Sequence, residues 1–480
     1  MKTAGNIDLW KQYGDSILVV QPFMDNLIVA GDGCYLVDVE GRRILDLAAG
    51  QFCSILGHSH PRFIARLQEQ LGKLLHLGDQ FLSPGVLLAA HRLASISPVR
   101  KGKVLFLSTG SEANECAMRI AKAVTGRTGM LGFSRGYYGI SLATRNLSSI
   151  SDHPGKVDFE PAPPGQYKLL SPSARRCPIG VEHAACTGAC LSASYELLGE
   201  HAQNIAAVIV EPILSAGGML YPPSEYLRAL HSRAKACGSL FIVDEAQTGL
   251  GRCGAWFDIQ NHGIEPDILV MSKTAGNGYP IGAVVVSPAV AERLEAQGFT
   301  HLSSHQNDPL AAATVHAVID IVEEEHLVDH SQRIGAYFFE RLQSLRAKHR
   351  LIADVRGRGL MIAMELATHE GSPPDLGLEF AMMCERRGVH ITYTYYEPVI
   401  RFIPPLVITE KEIDEAIAVI DDVLSALERD NGNLRDLLPK NHRSGPFVQR
   451  SRQGLTPMKI IRGLWNNPPR EWVVRFSNRS

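Results

Sequence analysis

An aspartate and a lysine each follow a short apolar run in the middle of the chain. Asp244 comes directly after Leu-Phe-Ile-Val at 240–243, and Lys273 follows Ile-Leu-Val-Met-Ser at 268–272. Short apolar runs bounded by turn-forming residues are typical of buried parallel strands. Ligands of open α/β sheets bind beyond the carboxyl ends of such strands. The spacing therefore predicts that this carboxylate and this amine face the same crevice.

This pair of side chains suits pyridoxal 5'-phosphate (PLP). The amine of Lys273 can form a Schiff base with the cofactor aldehyde, and the carboxylate of Asp244 can keep the pyridine nitrogen protonated. A carboxylate in a dry crevice is costly unless a cation neutralises it, and the pyridinium supplies that cation. A capping aspartate and a solvated lysine would be the commoner roles for either residue alone. Two such residues at strand ends, each followed by a glycine-rich turn, favour the cofactor interpretation.

The surrounding sequence resembles the signature of class III (ornithine-type) aminotransferases. The matching segments are Asp-Glu-Ala-Gln-Thr-Gly-Leu-Gly-Arg at 244–252 and Ser-Lys-Thr-Ala-Gly-Asn-Gly at 272–278. The resemblance covers roughly residues 15–427 and implies PLP fold type I. That fold is α/β, with a large lobe around a mostly parallel, seven-stranded-type sheet and a small α+β lobe made from the N- and C-terminal segments.

A predicted strand at 104–107 leads into a turn and a helix that suit a phosphate group. Gly110 and Ser111 open this helix. Free backbone N–H groups and the positive end of the helix dipole favour an anion there. The same residues also fit an ordinary helix cap. Their order relative to Asp244 and Lys273 matches the family, and the resemblance assigns them to the PLP phosphate.

The resemblance also assigns four further side chains to the cofactor. Tyr137 takes the place of the aromatic residue that stacks on the ring, although most relatives differ from this chain at the next position, Tyr138. Glu211 resembles the active-site glutamate, and Gln247 would bond the ring oxygen. Ser304 matches a hydroxyl residue that reaches the PLP phosphate of the partner subunit. This match implies a homodimer, or a higher homo-oligomer, with shared active sites.

Arg401 and Gln51 bear on the substrate and the reaction. Arg401 lies between apolar residues and can form two parallel hydrogen bonds with a substrate carboxylate. Gln51 resembles the glutamine with which 2,2-dialkylglycine decarboxylases hold the departing carboxylate perpendicular to the ring. Within the family the chain therefore resembles these decarboxylases. The resemblance implies a decarboxylating transaminase that acts on 2,2-dialkylglycine-type amino acids, with a 2-oxo acid such as pyruvate as amino acceptor.

Other readings of the same site stay open. An ordinary class III aminotransferase or an amino-acid epimerase would use this framework without losing carbon dioxide, and a silent PLP-binding scaffold is a third alternative. Asp308 and Ser304 match part of the alkali-ion shell of the decarboxylases, but Asp79 stands where those enzymes have a serine ligand. An alkali ion is therefore a weaker expectation than PLP.

Composition indicates a cytoplasmic enzyme of two lobes. The chain has 480 residues, a net charge of −2 and 45% hydrophobic residues, which gives no reason to expect a nucleic-acid or membrane partner. No apolar run approaches the length of a membrane span, and the N-terminus lacks the apolar core of a signal peptide. Nine irregularly spaced cysteines fit reduced thiols.

Pattern and composition divide the chain into four parts. We expect an N-terminal segment of the small lobe at 1–60, the PLP-binding large lobe at 61–326, the C-terminal small lobe at 327–428 and a basic tail at 429–480. The tail carries ten Lys or Arg against two acidic residues from position 431 onwards, which is typical of a disordered or surface-packed segment.

Residues 151–200 are interpreted as an irregular insertion within the large lobe. They contain Cys177, Cys186 and Cys190, with His183 between them. Three cysteines and a histidine could bind zinc, but their spacing lacks the tight Cys-x2-Cys pairs of zinc sites. A plain structural loop is the favoured interpretation.

Overall fold

Three β-sheets and the helices around them make up the described part of the chain. The computed structural model describes residues 6–429, with the exception of 19–22, 25, 149–163, 174, 176, 181–187, 369–375 and 395–396. The basic tail, His183 and Cys186 therefore lie outside the described residues. Cys177 and Cys190 are described, and Cys177 is a free thiol.

The strands are numbered in chain order. They are β1 (Ile28–Asp32), β2 (Tyr35–Asp38), β3 (Arg43–Asp46), β4 (Lys103–Leu107), β5 (Gly129–Phe133), β6 (Gln166–Leu169), β7 (Ile205–Val210), β8 (Leu240–Asp244), β9 (Ile268–Met271), β10 (Gly282–Val286), β11 (Ile352–Arg358), β12 (Met361–Leu366), β13 (Val389–His390), β14 (Thr392–Tyr393) and β15 (Val399–Phe402).

The helices follow the same convention. They are α1 (Asn6–Tyr13), α2 (Ala49–Phe52), α3 (Pro61–Leu71), α4 (Pro84–Ile96), α5 (Gly110–Thr125), α6 (Leu142–Leu147), α7 (Ala189–Leu198), α8 (Ser224–Ala236), α9 (Pro288–Ala296), α10 (Pro309–Glu324), α11 (Leu327–Lys348), α12 (Leu376–Arg386) and α13 (Glu410–Arg429). Within the described ranges, no helix is long and apolar enough to cross a membrane.

The large sheet has seven strands in the order β4-β10-β9-β8-β7-β5-β6. β10 pairs antiparallel with both of its neighbours, and the other pairs are parallel. Every residue of β5, β7, β8, β9 and β10 is buried. This burial explains their continuous apolar sequences, since helices cover both faces of such a sheet. The expected α/β fold with a mostly parallel seven-stranded sheet is confirmed.

The interpretation of 151–200 as irregular was wrong for its described part. Residues 166–169 form β6 at the edge of the large sheet, and 189–198 form α7. β6 is short and only one of its residues is fully buried, so its sequence lacks the long apolar run that marked the central strands. Edge strands of this kind are held by pairing on one side alone.

There are two smaller sheets in the described part of the chain, and one of them combines segments from both ends of the chain. One has the order β1-β2-β3-β13, and the other the order β11-β12-β15-β14. β13 pairs parallel with β3, joining residue 389 to residue 45. The N-terminal hairpin thus shares a sheet with a strand from the C-terminal part, in agreement with the small lobe expected for the fold.

Candidate active site

Asp244 and Lys273 lie at the carboxyl ends of neighbouring strands. Asp244 is the last residue of β8, and Lys273 follows β9 by two positions. The carboxylate accepts hydrogen bonds from the Asn114 amide at 2.6 Å and from the Ala246 backbone N–H at 2.9 Å. Burial raises the pKa of Asp244 despite these bonds. Burial also lowers the pKa of Lys273, an effect that the nearby Asp244 charge opposes.

Glu211 adds a second carboxylate to the same crevice. It follows β7 directly and accepts a hydrogen bond from the backbone N–H of Tyr137 at 2.6 Å. Burial, and then the charge of Asp244, raises the pKa of Glu211 to about 8. Two carboxylates and one amine are buried close together, so the protonation of each depends on the others.

The first turn of α5 closes one end of the crevice. Thr109 caps the helix by accepting from the Glu112 backbone N–H, and the Glu112 carboxylate accepts from the Ser108 backbone N–H at 2.9 Å. The Ser111 hydroxyl accepts from the Ile140 backbone N–H at 3.1 Å. A Cβ atom at Gly139 would lie 2.6 Å from this hydroxyl oxygen. The loop after β5 therefore needs glycine there to approach the helix start.

The residues of this crevice fit PLP. A single cavity brings together Gly110, Ser111, Tyr137, Glu211, Asp244, Gln247 and Lys273 with Thr109, Asn114, Tyr138, Gly139, Ala246 and Ser272. Within the described part of the chain, the buried amide oxygen of Gln247 has no hydrogen-bond partner. A buried polar atom without a partner is costly, and a bound group with polar atoms would satisfy it. A helix N-terminus for phosphate, a carboxylate for the pyridine nitrogen and an amine for the aldehyde complete the set.

The Phe52 ring lies close to both the Lys273 amine and the predicted carboxylate-binding arginine. The amine nitrogen of Lys273 is 5.9 Å from the centre of the Phe52 ring, and the guanidinium carbon of Arg401 is 5.3 Å from it. The Arg401 guanidinium donates hydrogen bonds to the hydroxyls of Thr392 at 3.1 Å and Ser215 at 3.3 Å. Arg401 lies in β15, which pairs antiparallel with β12. Its hydrogen bond to Ser215 joins the guanidinium to the segment that follows β7 in the large lobe.

A left-handed turn presents Phe52 and Gln51. All four residues of α2 have positive φ, from +45° at Ala49 to +73° at Phe52. This conformation costs roughly 1–2 kcal/mol for each residue other than glycine. The Asp46 carboxylate supports the turn by accepting from the backbone N–H groups of Ala48 at 2.9 Å and Gly50 at 3.0 Å. The Phe52 side chain is buried, whereas the Gln51 side chain is exposed in the single chain.

Four predicted residues do not line this cavity in the single chain: Gln51 and Arg401, whose surroundings are given above, and Ser304 and Asp308. Ser304 is exposed, in the loop that precedes α10. Asp308 is buried at the start of α10, where its carboxylate accepts from the imidazoles of His76 and His305. Ser304 and Asp308 as ligands of an alkali ion stay a prediction, as does the contact of Ser304 with a partner subunit.

Sequence reasoning missed Phe52 and Asn114. Asn114 lies one helical turn after Gly110, on the face of α5 that meets Asp244. Its spacing from the phosphate turn could have pointed to it. Phe52 gave no such signal, because neighbouring residues on a strand or helix point in different directions and the backbone of the turn decides which one enters the site.

The sequence of the chain is similar to those of known enzymes. The family model for class III aminotransferases matches residues 20–424. The chain belongs to the class III aminotransferase family. An uncharacterised aminotransferase of Schizosaccharomyces pombe is 36% identical over 428 residues, which cover 87% of this chain and 95% of that protein. The acetylornithine aminotransferase of Archaeoglobus fulgidus is 34% identical, with coverage of 82% and 94%. The leucine/methionine racemase of Thermococcus litoralis is 31% identical, with coverage of 82% and 88%.

Solved transaminase structures share the fold. An amine transaminase from an uncultivated Pseudomonas species, solved in its PLP-bound form, superposes with a TM-score of 0.78 at 30% identity and covers 84% of this chain and 95% of that one. An aminotransferase of Bacillus anthracis gives a TM-score of 0.80 at 26% identity, with coverage of 89% and 100%. The class III aminotransferase described here is thus a PLP-dependent enzyme by family.

Proposed function

We propose that this aminotransferase moves the amino group of an amino acid that carries an α-hydrogen to a 2-oxo acid, without decarboxylation. The observation that supports this most is that the Lys273 amine and the Arg401 guanidinium lie 5.9 Å and 5.3 Å, respectively, from the centre of the Phe52 ring. A guanidinium and an amine that share one aromatic neighbour suit a substrate with both a carboxylate and an amino group. Relatives named for amino-transfer chemistry support the same reading.

Each polar residue of the crevice has a role that follows from its position. Bound PLP would supply the electron sink that makes the substrate α-hydrogen acidic. Gly110 and Ser111 would hold its phosphate at the start of α5, and Asp244 would keep its ring nitrogen charged. Asn114 orients the Asp244 carboxylate by donating to one oxygen, while the Ala246 backbone N–H fixes the other.

Lys273 is the proton carrier in this proposal. Its pKa is lowered by burial, so its amine releases a proton more readily than a lysine in water does. With its amine free, Lys273 Nζ would remove the α-hydrogen of the substrate as a proton. The same nitrogen returns a proton in the second half of the reaction. Arg401 holds the carboxylate and so fixes which hydrogen faces Lys273.

Decarboxylation is the second candidate, and it depends on Gln51. Gln51 neighbours Phe52 on the left-handed turn, with its side chain exposed in the single chain. A partner subunit or a bound substrate could bring that amide to a carboxylate. Epimerisation is the third candidate, because one relative is named as an amino-acid racemase. An epimerase would remove the α-hydrogen as a proton in the same way and would return a proton to the opposite face of the α-carbon.

One assay separates the three reactions. PLP-loaded protein is incubated with amino acids that carry an α-hydrogen, or with 2-aminoisobutyrate, in the presence of pyruvate, glyoxylate or 2-oxoglutarate. The product amino acid, carbon dioxide and the chirality of the remaining donor are followed together, and Lys273→Ala gives the baseline. The proposal expects amino transfer only from donors with an α-hydrogen, and no gas. Carbon dioxide with alanine from 2-aminoisobutyrate would overturn it, as would racemised donor without acceptor consumption.

Assembly and location belong to the same proposal. A homodimer, or a higher homo-oligomer, would let Ser304 of each chain reach the cofactor phosphate of the other. Within the described residues, the buried cysteines Cys34, Cys116, Cys253 and Cys384 are free thiols, which fits a reducing compartment and hence the cytoplasm. Gel filtration with light scattering and fractionation of cells would test these two statements.

A further inference from the structure

Two histidines converge on one carboxylate outside the active-site cavity. His76 lies in the connection between α3 and α4, and His305 lies in the loop before α10. The Nδ1 atom of His76 is 2.6 Å from Oδ1 of Asp308, and the Nδ1 atom of His305 is 2.5 Å from Oδ2. The two imidazole rings are 4.7 Å apart, and one potential ligand atom from each residue lies within 4.8 Å of the others.

We propose that His76, His305 and Asp308 form a binding site for a divalent transition-metal ion such as Zn²⁺. Two imidazole nitrogens and one carboxylate oxygen are a donor set that zinc and its neighbours favour. Sodium and potassium are hard ions that bind oxygen, so the imidazoles argue for a different metal from the alkali ion that the family resemblance suggested at Asp308. The proposal does not depend on the reaction that the enzyme catalyses.

The geometry needs only a small adjustment to hold the ion. With metal–ligand distances of 2.0–2.2 Å, the ligand atoms of a tetrahedral zinc site are about 3.4 Å apart. Each imidazole nitrogen would therefore move away from the carboxylate by a little less than 1 Å. Both imidazoles are exposed in the single chain, which leaves room for each ring to turn by this amount. The ion takes the place of the proton in each imidazole–carboxylate contact, and each neutral imidazole that binds the ion carries its one proton on Nε2 instead of Nδ1.

One ligand is rigid and two are adaptable. Asp308 is 6% exposed and its backbone begins α10, so the carboxylate has a fixed position. His76 and His305 come from separate parts of the chain, and a shared ion would join the α3–α4 connection to the loop that carries Ser304. The remaining coordination position is open to water or to a group of a second copy of the chain.

Metal binding to the PLP-loaded, tag-free protein tests the site. The protein is first treated with a chelator and dialysed, and Zn²⁺ is then titrated by calorimetry, with thermal unfolding measured in parallel. We expect one ion per chain and a rise in Tm with Zn²⁺, because an ion that binds the folded state alone stabilises it. Replacing a single ligand, in His76→Ala or His305→Ala, should weaken binding by about 10-fold or more.

His316→Ala is the matched control. His316 also lies near a carboxylate, with its Nε2 atom 3.5 Å from Asp320, but it has no second histidine in that contact. This variant should bind Zn²⁺ as the wild type does. His76→Gln and His305→Gln serve as second variants that keep the side-chain size, and unchanged PLP absorbance shows that the active site is intact.

Two results would overturn the proposal. One is the absence of Zn²⁺ binding to the wild type, with His76, His305 and Asp308 then acting as a hydrogen-bonded brace. The other is Zn²⁺ binding that the histidine variants leave unchanged, which would place the ion elsewhere. A rise in Tm with KCl but not with Zn²⁺ would also overturn the proposal, because it would identify an alkali-ion site instead of a transition-metal site.

Discussion

At the scale of single residues, the protonation of Glu211 connects the site to stability. Burial and the charge of Asp244 raise its pKa from 4.5 to about 8. In cofactor-free protein between these pH values, the unfolded chain has released the proton while the folded chain keeps it. The unfolded state then binds fewer protons, so the free energy of unfolding falls as the pH rises through this window.

Glu211→Gln should remove this pH dependence. The amide has the same shape and can still accept from the Tyr137 N–H. Between pH 5 and pH 8, we expect the free energy of unfolding of the cofactor-free variant to rise relative to that of the wild type by more than about 1 kcal/mol. The reason is that a pKa difference of one unit corresponds to about 1.4 kcal/mol. Urea unfolding at several pH values measures the difference. Glu292→Gln, at an exposed position, is the control, and parallel curves for Glu211→Gln and wild type would refute the argument.

Arg401 is where the substrate carboxylate is expected to bind. Arg401→Gln should raise KM for amino-acid donors by about 30-fold or more, because losing one partner of a charged hydrogen-bonded pair costs about 2–5 kcal/mol. An amine donor without a carboxylate should lose much less, because it never uses the guanidinium. Steady-state kinetics with both donor types measure the change in KM for each.

A surface arginine controls for general effects on the protein. Arg387, which pairs with Asp422 at 2.8 Å on the surface, is changed to Gln in parallel. This variant should leave both donors unaffected. Equal losses of both donor types in Arg401→Gln would mean that Arg401 supports the fold of the site rather than the carboxylate.

At the scale of elements, the left-handed turn of α2 holds strain next to the substrate. Three of its four residues are not glycine, yet all have positive φ. Strain of this kind persists only where the surroundings fix the backbone, and it is concentrated at functional sites. Here the Asp46 carboxylate and the buried Phe52 ring fix it.

Glycine at position 51 should relieve part of that strain. We expect the free energy of unfolding of Gln51→Gly to be about 1 kcal/mol higher than that of Gln51→Ala, because only alanine carries the Cβ atom that the left-handed conformation disfavours. Both variants remove the amide, so the comparison isolates the backbone. Thermal or urea unfolding provides the measurement. A less stable glycine variant would mean that the turn relaxes in the alanine variant instead.

The elements were predictable where local chemistry defined them. Ser83 and Pro84 mark the start of α4, and the apolar runs mark β8 and β9. The turn of α2 was not, because only Gly50 hints at positive φ there. The two-residue strand β13 is too short to show alternation, and its pairing with β3 depends on a contact between residues that are distant in sequence. Lys273 and Asp244 could be placed in one crevice because each follows its own strand. Phe52 could not be placed beside them, because its position depends on a contact between residues that are distant in sequence.

At the scale of the whole molecule, large apolar side chains lie exposed on one region of the single chain. They include Phe81 at 68% and Leu302 at 77% exposure, together with Leu71, Leu75, Leu82, Leu87 and Leu88. These residues belong to α3, α4, the connection between them and the loop that carries Ser304. Apolar surface of this extent is uncommon on a monomer and marks an interface. Since Ser304 is expected to serve the partner's site, a second copy of the chain is the covering that we predict.

Charges placed in this region should separate the subunits and stop catalysis together. We expect Phe81→Asp combined with Leu302→Asp to be largely monomeric, since burying each side chain contributes about 1.5–3 kcal/mol and a buried unpaired carboxylate costs more. Leu197→Asp is the control, because Leu197 is 65% exposed on α7, outside this region. Light scattering gives the mass, and PLP absorbance with turnover gives the state of the site. A monomeric variant with full activity would show that each chain completes its own site, and a variant that stays dimeric would place the interface elsewhere.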